Sequence, residues 1–228
     1  MEALDLPLLK DTLRFVKEHG CLPADMRSKE DLNDVGESGV SEGEVENVRG
    51  DVQLWLAELE EKVGQKGRRE VVICVLDGFL LYPDPSSKEG SLERELADFI
   101  MDSRSSSSSV IAGRLFIPST RELTITRRAK RTGYVTLEGF WADPPGYVED
   151  VVWPNYKRDH AWLFCGGDGD NGFGEDVDGR VDGGIVNRRV AEGVGILVGP
   201  GCGEVGMGDV LGWAVERVRE VVERELKE

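Results

Sequence analysis

Apolar positions change period several times along the chain, and each change marks an element. Leu6, Leu9, Leu13 and Val16 recur at helical spacing, which predicts an amphipathic helix over about residues 2–19, closed by Gly20. Residues 20–40 are polar and rich in glycine and aspartate, as a loop would be. Ser41 with Glu44 three residues later is a capping-box signature. Val45, Val48, Val52, Leu56, Leu59 and Val63 then trace one face of a second helix. After a turn at 64–69 the period vanishes. Val71-Val-Ile-Cys-Val-Leu76 is a continuous, largely β-branched run, the pattern of a strand covered on both faces in a parallel sheet.

Further along, a helix is expected over 91–101 and a short strand at Leu115–Ile117. Ser119 and Glu122 form a second capping box, opening a helix that carries Arg127, Arg128, Lys130 and Arg131. Residues 133–147 read as a Gly/Pro/aromatic loop. A helix is expected around Val151–Phe164, with Pro154 near its start. A strand candidate at Gly193–Val198 and an amphipathic helix over Asp209–Lys227 close the chain. Two stretches fit no element: the serine-rich insertion at 103–109 and the Gly/Asp loop at 166–184. Strands alternating with helices predict an α/β class with mainly parallel strands, in one domain over 1–228.

Charge narrows the function classes. The 228 residues hold 28 Lys and Arg against 44 Asp and Glu, a net charge of −16. A general nucleic-acid binder needs a basic surface to displace phosphate counterions, so no nucleic-acid partner is expected. No apolar run reaches the ~18–20 residues that span a bilayer, so no membrane partner is expected either. The cysteines Cys21, Cys74, Cys165 and Cys202 form no CxxC or Cys/His cluster, which points to a reduced, cytoplasmic compartment.

Against this acidity, Arg121–Arg131 carries a local +4, leaving −20 over the remaining chain. Arginines at i, i+1 and i+4 suit an anionic ligand such as a polyphosphate; a solvated face paired with carboxylates is the alternative. Asp77 follows the Val71–Leu76 run directly. In open α/β folds ligands gather at the carboxyl ends of strands, where a carboxylate orients a metal or a hydroxyl. A turn residue in Asp77-Gly78 is the competing reading.

Three segments carry a family resemblance: VLDGFLLY at 75–82, RRAKRTGYVTLEGFWADPPGYVEDVVWPNY at 127–156, and DHAWLF at 159–164. They resemble the nicotinamide riboside kinases, particularly the fungal form, and the stretches at 2–7, 28–36 and 211–226 fit the same family. The resemblance implies a P-loop kinase with a three-layer, parallel sheet that phosphorylates the ribose 5′-hydroxyl of nicotinamide riboside with ATP and Mg2+. By that resemblance Asp77 is the acidic residue near magnesium and the phosphates, and the catalytic candidate. Arg127 and Arg131 would face the ATP phosphates, Arg128 the nucleoside ribose, and Tyr134 the nicotinamide ring. Trp141 and Trp153 fall inside the same block, and residues 133–147 adjoin the lid.

The phosphate loop G-x-x-x-x-G-K-[S/T] does not occur in these 228 residues. The chain is therefore expected to be an incomplete version of the kinase fold, its first two strands missing, and inactive by itself. A non-catalytic remnant that binds a nucleoside or serves as an interaction partner is the alternative. Gly201-Cys-Gly203-Glu-Val-Gly206 fits the dinucleotide fingerprint, but so close to the C-terminus a Gly-rich turn into the last helix is the better expectation. The 166–172 run fails EF-hand spacing. His160, in an aromatic-rich helix, reads as a packing residue.

Overall fold

The computed structural model describes residues 5–26, 32–33, 37–63, 71–78, 81–101, 110–131, 133–136, 139–165, 185–186 and 188–227. The helices are α1 (Leu6–His19), α2 (Glu42–Val63), α3 (Leu92–Ile100), α4 (Arg121–Ala129), α5 (Trp153–His160), α6 (Arg188–Gly193) and α7 (Met207–Glu225). The strands are β1 (Arg114–Phe116), β2 (Tyr134–Thr136), β3 (Gly139–Trp141), β4 (Phe164–Cys165), β5 (Ile185–Val186) and β6 (Ile196–Val198).

Helix ends follow the local chemistry. The Asp5 carboxylate accepts from the Leu8 N–H at 2.9 Å, Pro7 sits in the first turn where its missing donor costs nothing, and Gly20 closes α1 at φ 66°. The capping box before α2 forms reciprocally. The Ser41 N–H donates to Glu44 Oε2 at 2.8 Å, and the Glu44 N–H donates to Ser41 Oγ at 3.3 Å. Those bonds, the Ser41 side chain first, hold the Glu44 carboxyl below the usual carboxylate range.

At the centre, β1 and β6 pair in parallel, Leu115 opposite Leu197, and antiparallel β4 and β5 pair beside them. Phe116, Leu163, Phe164, Ala191, Ile196 and Val198 form one buried cluster. A second, of Leu6, Leu96 and Ile100, joins α1 to α3. A small parallel pair among helices is an α/β arrangement, as expected.

Four local expectations are corrected. Val71–Leu76 forms no strand and is not buried: Ile73 is 55% exposed and Val75 86%. A β-branched run becomes a strand only when another backbone satisfies its N–H and C=O groups, and no described segment does so. The edge of β1 away from β6 is met instead by a side chain, the Tyr82 hydroxyl donating to the Leu115 carbonyl at 3.1 Å. Burial pushes Tyr82 up to about 12, so that hydroxyl remains a donor.

The N-cap of α4 is Thr120, whose Oγ1 accepts from the Leu123 N–H at 3.3 Å, rather than Ser119. The expected loop at 133–147 contains the β2–β3 hairpin. The helix expected at 151–164 begins three residues early. A π turn at Val148–Val152 leads into α5, and a 3-10 turn at Ala161–Leu163 ends it before β4. The serine insertion at 103–109 and the acidic loop at 166–184 lie outside the described residues.

Candidate functional site

Helix α4 ends at Ala129, so Arg128 lies in its last turn and Arg131 just beyond. Gly133 reverses the chain into β2 at φ 117°. A Cβ there would strike the Phe140 ring and come within 2.6 Å of the Trp141 carbonyl oxygen, so only glycine fits. The hairpin register sets Tyr134 opposite Trp141. Its outer edge is pinned by Asn33, whose Oδ1 accepts from the Val135 N–H at 2.5 Å and whose Nδ2 donates to the Val135 carbonyl at 3.3 Å. One carboxamide thus substitutes for a neighbouring strand.

Asp143 is the hub of this unit. Arg128 donates to both its oxygens, Nε to Oδ2 and Nη2 to Oδ1, each at 2.8 Å, and the Trp141 indole N–H donates to Oδ1 at 3.2 Å. The two charged side chains are 23% and 18% exposed, a half-sheltered bidentate pair. The Arg128 hydrogen bonds hold the Asp143 carboxyl below the usual carboxylate range against burial, with the Trp141 indole helping. Arg128 is raised in turn, first by its hydrogen bond with Asp143 and, more weakly, by the nearby Tyr134.

Between α4 and the segment 142–149 lies a cavity of about 230 Å3, its walls including Ile125, Arg128, Arg131, Asp143, Pro145 and Glu149. A space so rich in charge suits a polar ligand with hydroxyls or anionic groups.

The structure brings Arg128 and Tyr134 together and sets Arg131 in the cavity wall. Arg127 points elsewhere, its Nη2 donating to the Gly203 carbonyl at 2.9 Å and tying α4 to the loop after β6. Asp77 is exposed, and among the described residues no hydrogen bond or ion pair links it to α4. A magnesium ion commonly takes one or two carboxylates plus substrate phosphates. The described residues contain no group of three or more His, Cys, Asp or Glu that could hold a metal. Asp77 alone does not make a magnesium site.

Gly201–Gly203 forms a 3-10 turn against α4, and Gly206 caps α7. A Cβ on Gly208 would collide with the Glu44 carboxylate, so an acidic group already lies against the first turn of α7. A pyrophosphate there would meet a like charge, which removes the dinucleotide reading. His160, 3% exposed, stacks on Phe116 with ring centroids 5.6 Å apart, as a packing residue.

Sequence reasoning passed over Asp143 and Asn33. Asp143 had a signal: with Glu138 it is one of two acids in the segment 132–147 that follows the basic helix. Asn33 had none, because its partner is 102 residues away.

A guanidinium–carboxylate pair beside a phenol, with Arg131 on the same cavity wall, offers donors, acceptors and positive charge to a small polar ligand. The chain is 29% identical over 167 residues to nicotinamide riboside kinase of Schizosaccharomyces pombe, covering 73% of this chain and 59% of that protein. It is 29% identical over 163 residues to the Eremothecium gossypii enzyme of the same name, covering 72% and 54%. With the Saccharomyces cerevisiae enzyme it shares 26% over 168 residues, covering 73% and 57%. The chain thus spans less than two thirds of these relatives' length. No family model and no solved structure matches. The similarity supports membership in the nicotinamide riboside kinase family, as the 127–156 block led us to expect.

Proposed function

We propose that this chain carries the nucleoside-binding and lid portion of a P-loop kinase with a three-layer parallel sheet. The reaction moves the γ-phosphoryl group of ATP to the ribose 5′-hydroxyl of nicotinamide riboside, giving nicotinamide mononucleotide and ADP. The observation that carries this reading is the Arg128–Asp143 pair at the wall of a cavity lined by four charged side chains, inside the block that resembles the family. A guanidinium and a carboxylate side by side offer donors and acceptors to a ribose diol. Tyr134 offers an aromatic face to the base, and Arg131 and Arg127 are the cations available to phosphate.

Phosphoryl transfer rests on positioning and charge neutralisation. Arg131 stands beside Arg128 in the cavity wall, where its charge reaches a phosphate next to a bound ribose. Arg127 would have to release the Gly203 carbonyl to join it. Mg2+ supplies charge neutralisation at the phosphates when bound; Asp77 is the carboxylate offered to it, and the described donors do not complete its site. Among the described residues no helix is long and apolar enough to cross a membrane, which is compatible with a cytoplasmic enzyme.

The 228 residues contain no phosphate loop, so the polypeptide is expected to bind nicotinamide riboside without turning it over. Calorimetry with nicotinamide riboside, and a mass-spectrometric assay for the mononucleotide with ATP and Mg2+, test both halves. Absence of heat with the nucleoside would refute the binding site. Product formed at an ordinary kinase rate would refute the claim that the phosphate loop is needed.

A further inference from the structure

Helix α2 packs on α7 without closing the space between them. At the first turn of α7 the approach is tight, since a Cβ on Gly208 would collide with the Glu44 carboxylate. One turn further on, the same face of α7 carries Gly212, and a Cβ built there meets no atom within 4 Å. A glycine inside a helix costs about 1 kcal/mol against alanine. No close approach among the described residues accounts for this one.

The gap is a cavity of about 170 Å3, walled by Val48, Val52, Trp55, Gly212 and Val215, with Asp51 at its exposed rim. It shares no lining residue with the cavity at α4. Its volume is close to the ~150 Å3 of an apolar cavity able to hold a benzene ring. Trp55 is fixed as one wall, buried, with its indole N–H donating to Glu223 Oε1 at 2.9 Å.

The charges around the cavity do not balance. The Arg219 guanidinium lies over the Trp55 ring, 5.6 Å from its centroid, and its Nε donates to Glu223 at 3.1 Å. Arg217 pairs with both Glu216 and Glu220, each at 2.9 Å. Both arginines thus have carboxylate partners, whereas Asp51 has no hydrogen bond or ion pair among the described residues. An apolar hollow with a free carboxylate at its mouth suits a molecule with an apolar body and a cationic head. An anion would meet Asp51 and Glu216 instead.

We propose that the α2–α7 cavity is a binding site for a small organic cation, a primary ammonium on a ring-sized apolar body. The body fills the space that Gly212 leaves open beside Trp55, and the ammonium pairs with Asp51. A ligand so placed contacts both helices and holds them together.

The test is titration of the 228-residue chain with benzylammonium, benzyl alcohol and benzoate, followed at the Trp55 indole N–H resonance, which Trp55→Phe identifies by its loss. Benzylammonium is expected to bind up to about fivefold more tightly than benzyl alcohol, the ratio an exposed ion pair allows, with benzoate weakest. Asp51→Asn, at an exposed position, should bring amine and alcohol level. Gly212→Leu should weaken both by at least about tenfold by filling the space with side chain, with the dichroism of the folded chain retained. Equal binding of amine and alcohol to the native chain, or a preference that survives Asp51→Asn, would overturn the proposal. Undiminished binding to Gly212→Leu would place the ligand elsewhere and overturn it as well, and no shift with any of the three probes would refute the site outright. Should Gly212→Leu not fold, the Asp51→Asn comparison decides alone.

Discussion

The segment 71–78 and strand β1 are both apolar, yet their surroundings are opposite. Along 71–78 the valines and the isoleucine face solvent, up to 86% exposure at Val75. In β1, Phe116 is 6% exposed, and the strand lies against β6 with its other edge met by the Tyr82 hydroxyl. The apolar content of 71–78 is the greater of the two. What separates them is a partner: β6 offers β1 a backbone ladder and a layer of Leu163, Ala191 and Ile196 beneath it, while no described backbone pairs with 71–78. Burial in a sheet therefore belongs to the pair and not to the run.

The sharpest way to break this contrast is to empty the layer under β1. Leu163 is fully buried, so Leu163→Ala is expected to cost about 2–5 kcal/mol, read as a fall in the denaturant midpoint with the slope unchanged. Smaller, and on the hairpin side, Asp143→Ala removes the bidentate partner of Arg128 and the indole acceptor together. A loss of about 1.5–3 kcal/mol is expected from the charged hydrogen bonds, with at least tenfold weaker nucleoside binding by calorimetry.

The same pair sets a pH dependence. Asp143 is lowered in the folded chain by Arg128. Its stabilisation is therefore fully present above the unfolded carboxylate value of about 3.9 and is lost as pH falls through the lower folded value. Thermal midpoints of the native chain and of Asp143→Asn should differ at pH 7 and converge in the acid range. A constant difference down to acid-induced unfolding would contradict the assignment.

Next in size, Asn33→Ala should cost about 1 kcal/mol and speed exchange of the Val135 amide, which mass-resolved hydrogen exchange would detect. The smallest effect is expected in the exposed run. Val75→Thr should change stability by under about 0.5 kcal/mol while reducing concentration-dependent self-association in sedimentation. A clear loss of stability there would mean that 71–78 is packed after all.

Elements with local causes were readable in the sequence. The capping of α2 by Ser41 and Glu44, the start of α3 at Ser91 and the close of α1 at Gly20 depend on residues within one turn. The parallel strands at 114–116 and 196–198 were also visible, because flanking helical periods framed them. The fate of Val71–Leu76 was not, since it depended on a backbone partner that periodicity does not encode. The hairpin was hidden by Gly139 and by the Pro and Gly that follow, which together imitate a loop. At the site, Arg128 and Tyr134 were reached through the family block. The Asp143 hub needed the fold of the chain after α4, and Asn33 needed a contact made only in three dimensions.

The Asn33 clamp also bears on the order in which the molecule assembles. The β2–β3 pairing closes over a handful of residues and can form within microseconds, whereas the Asn33–Val135 contact closes a loop of 102 residues. Native docking of the α1–α2 connection onto the hairpin is thus a late, topologically costly event. The face that carries Tyr134 and Trp141 would exist as a loose ribbon before it is fixed in place. In a refolding experiment, indole fluorescence from Trp141 should approach its native value only with the slow phase, after far-ultraviolet dichroism has recovered.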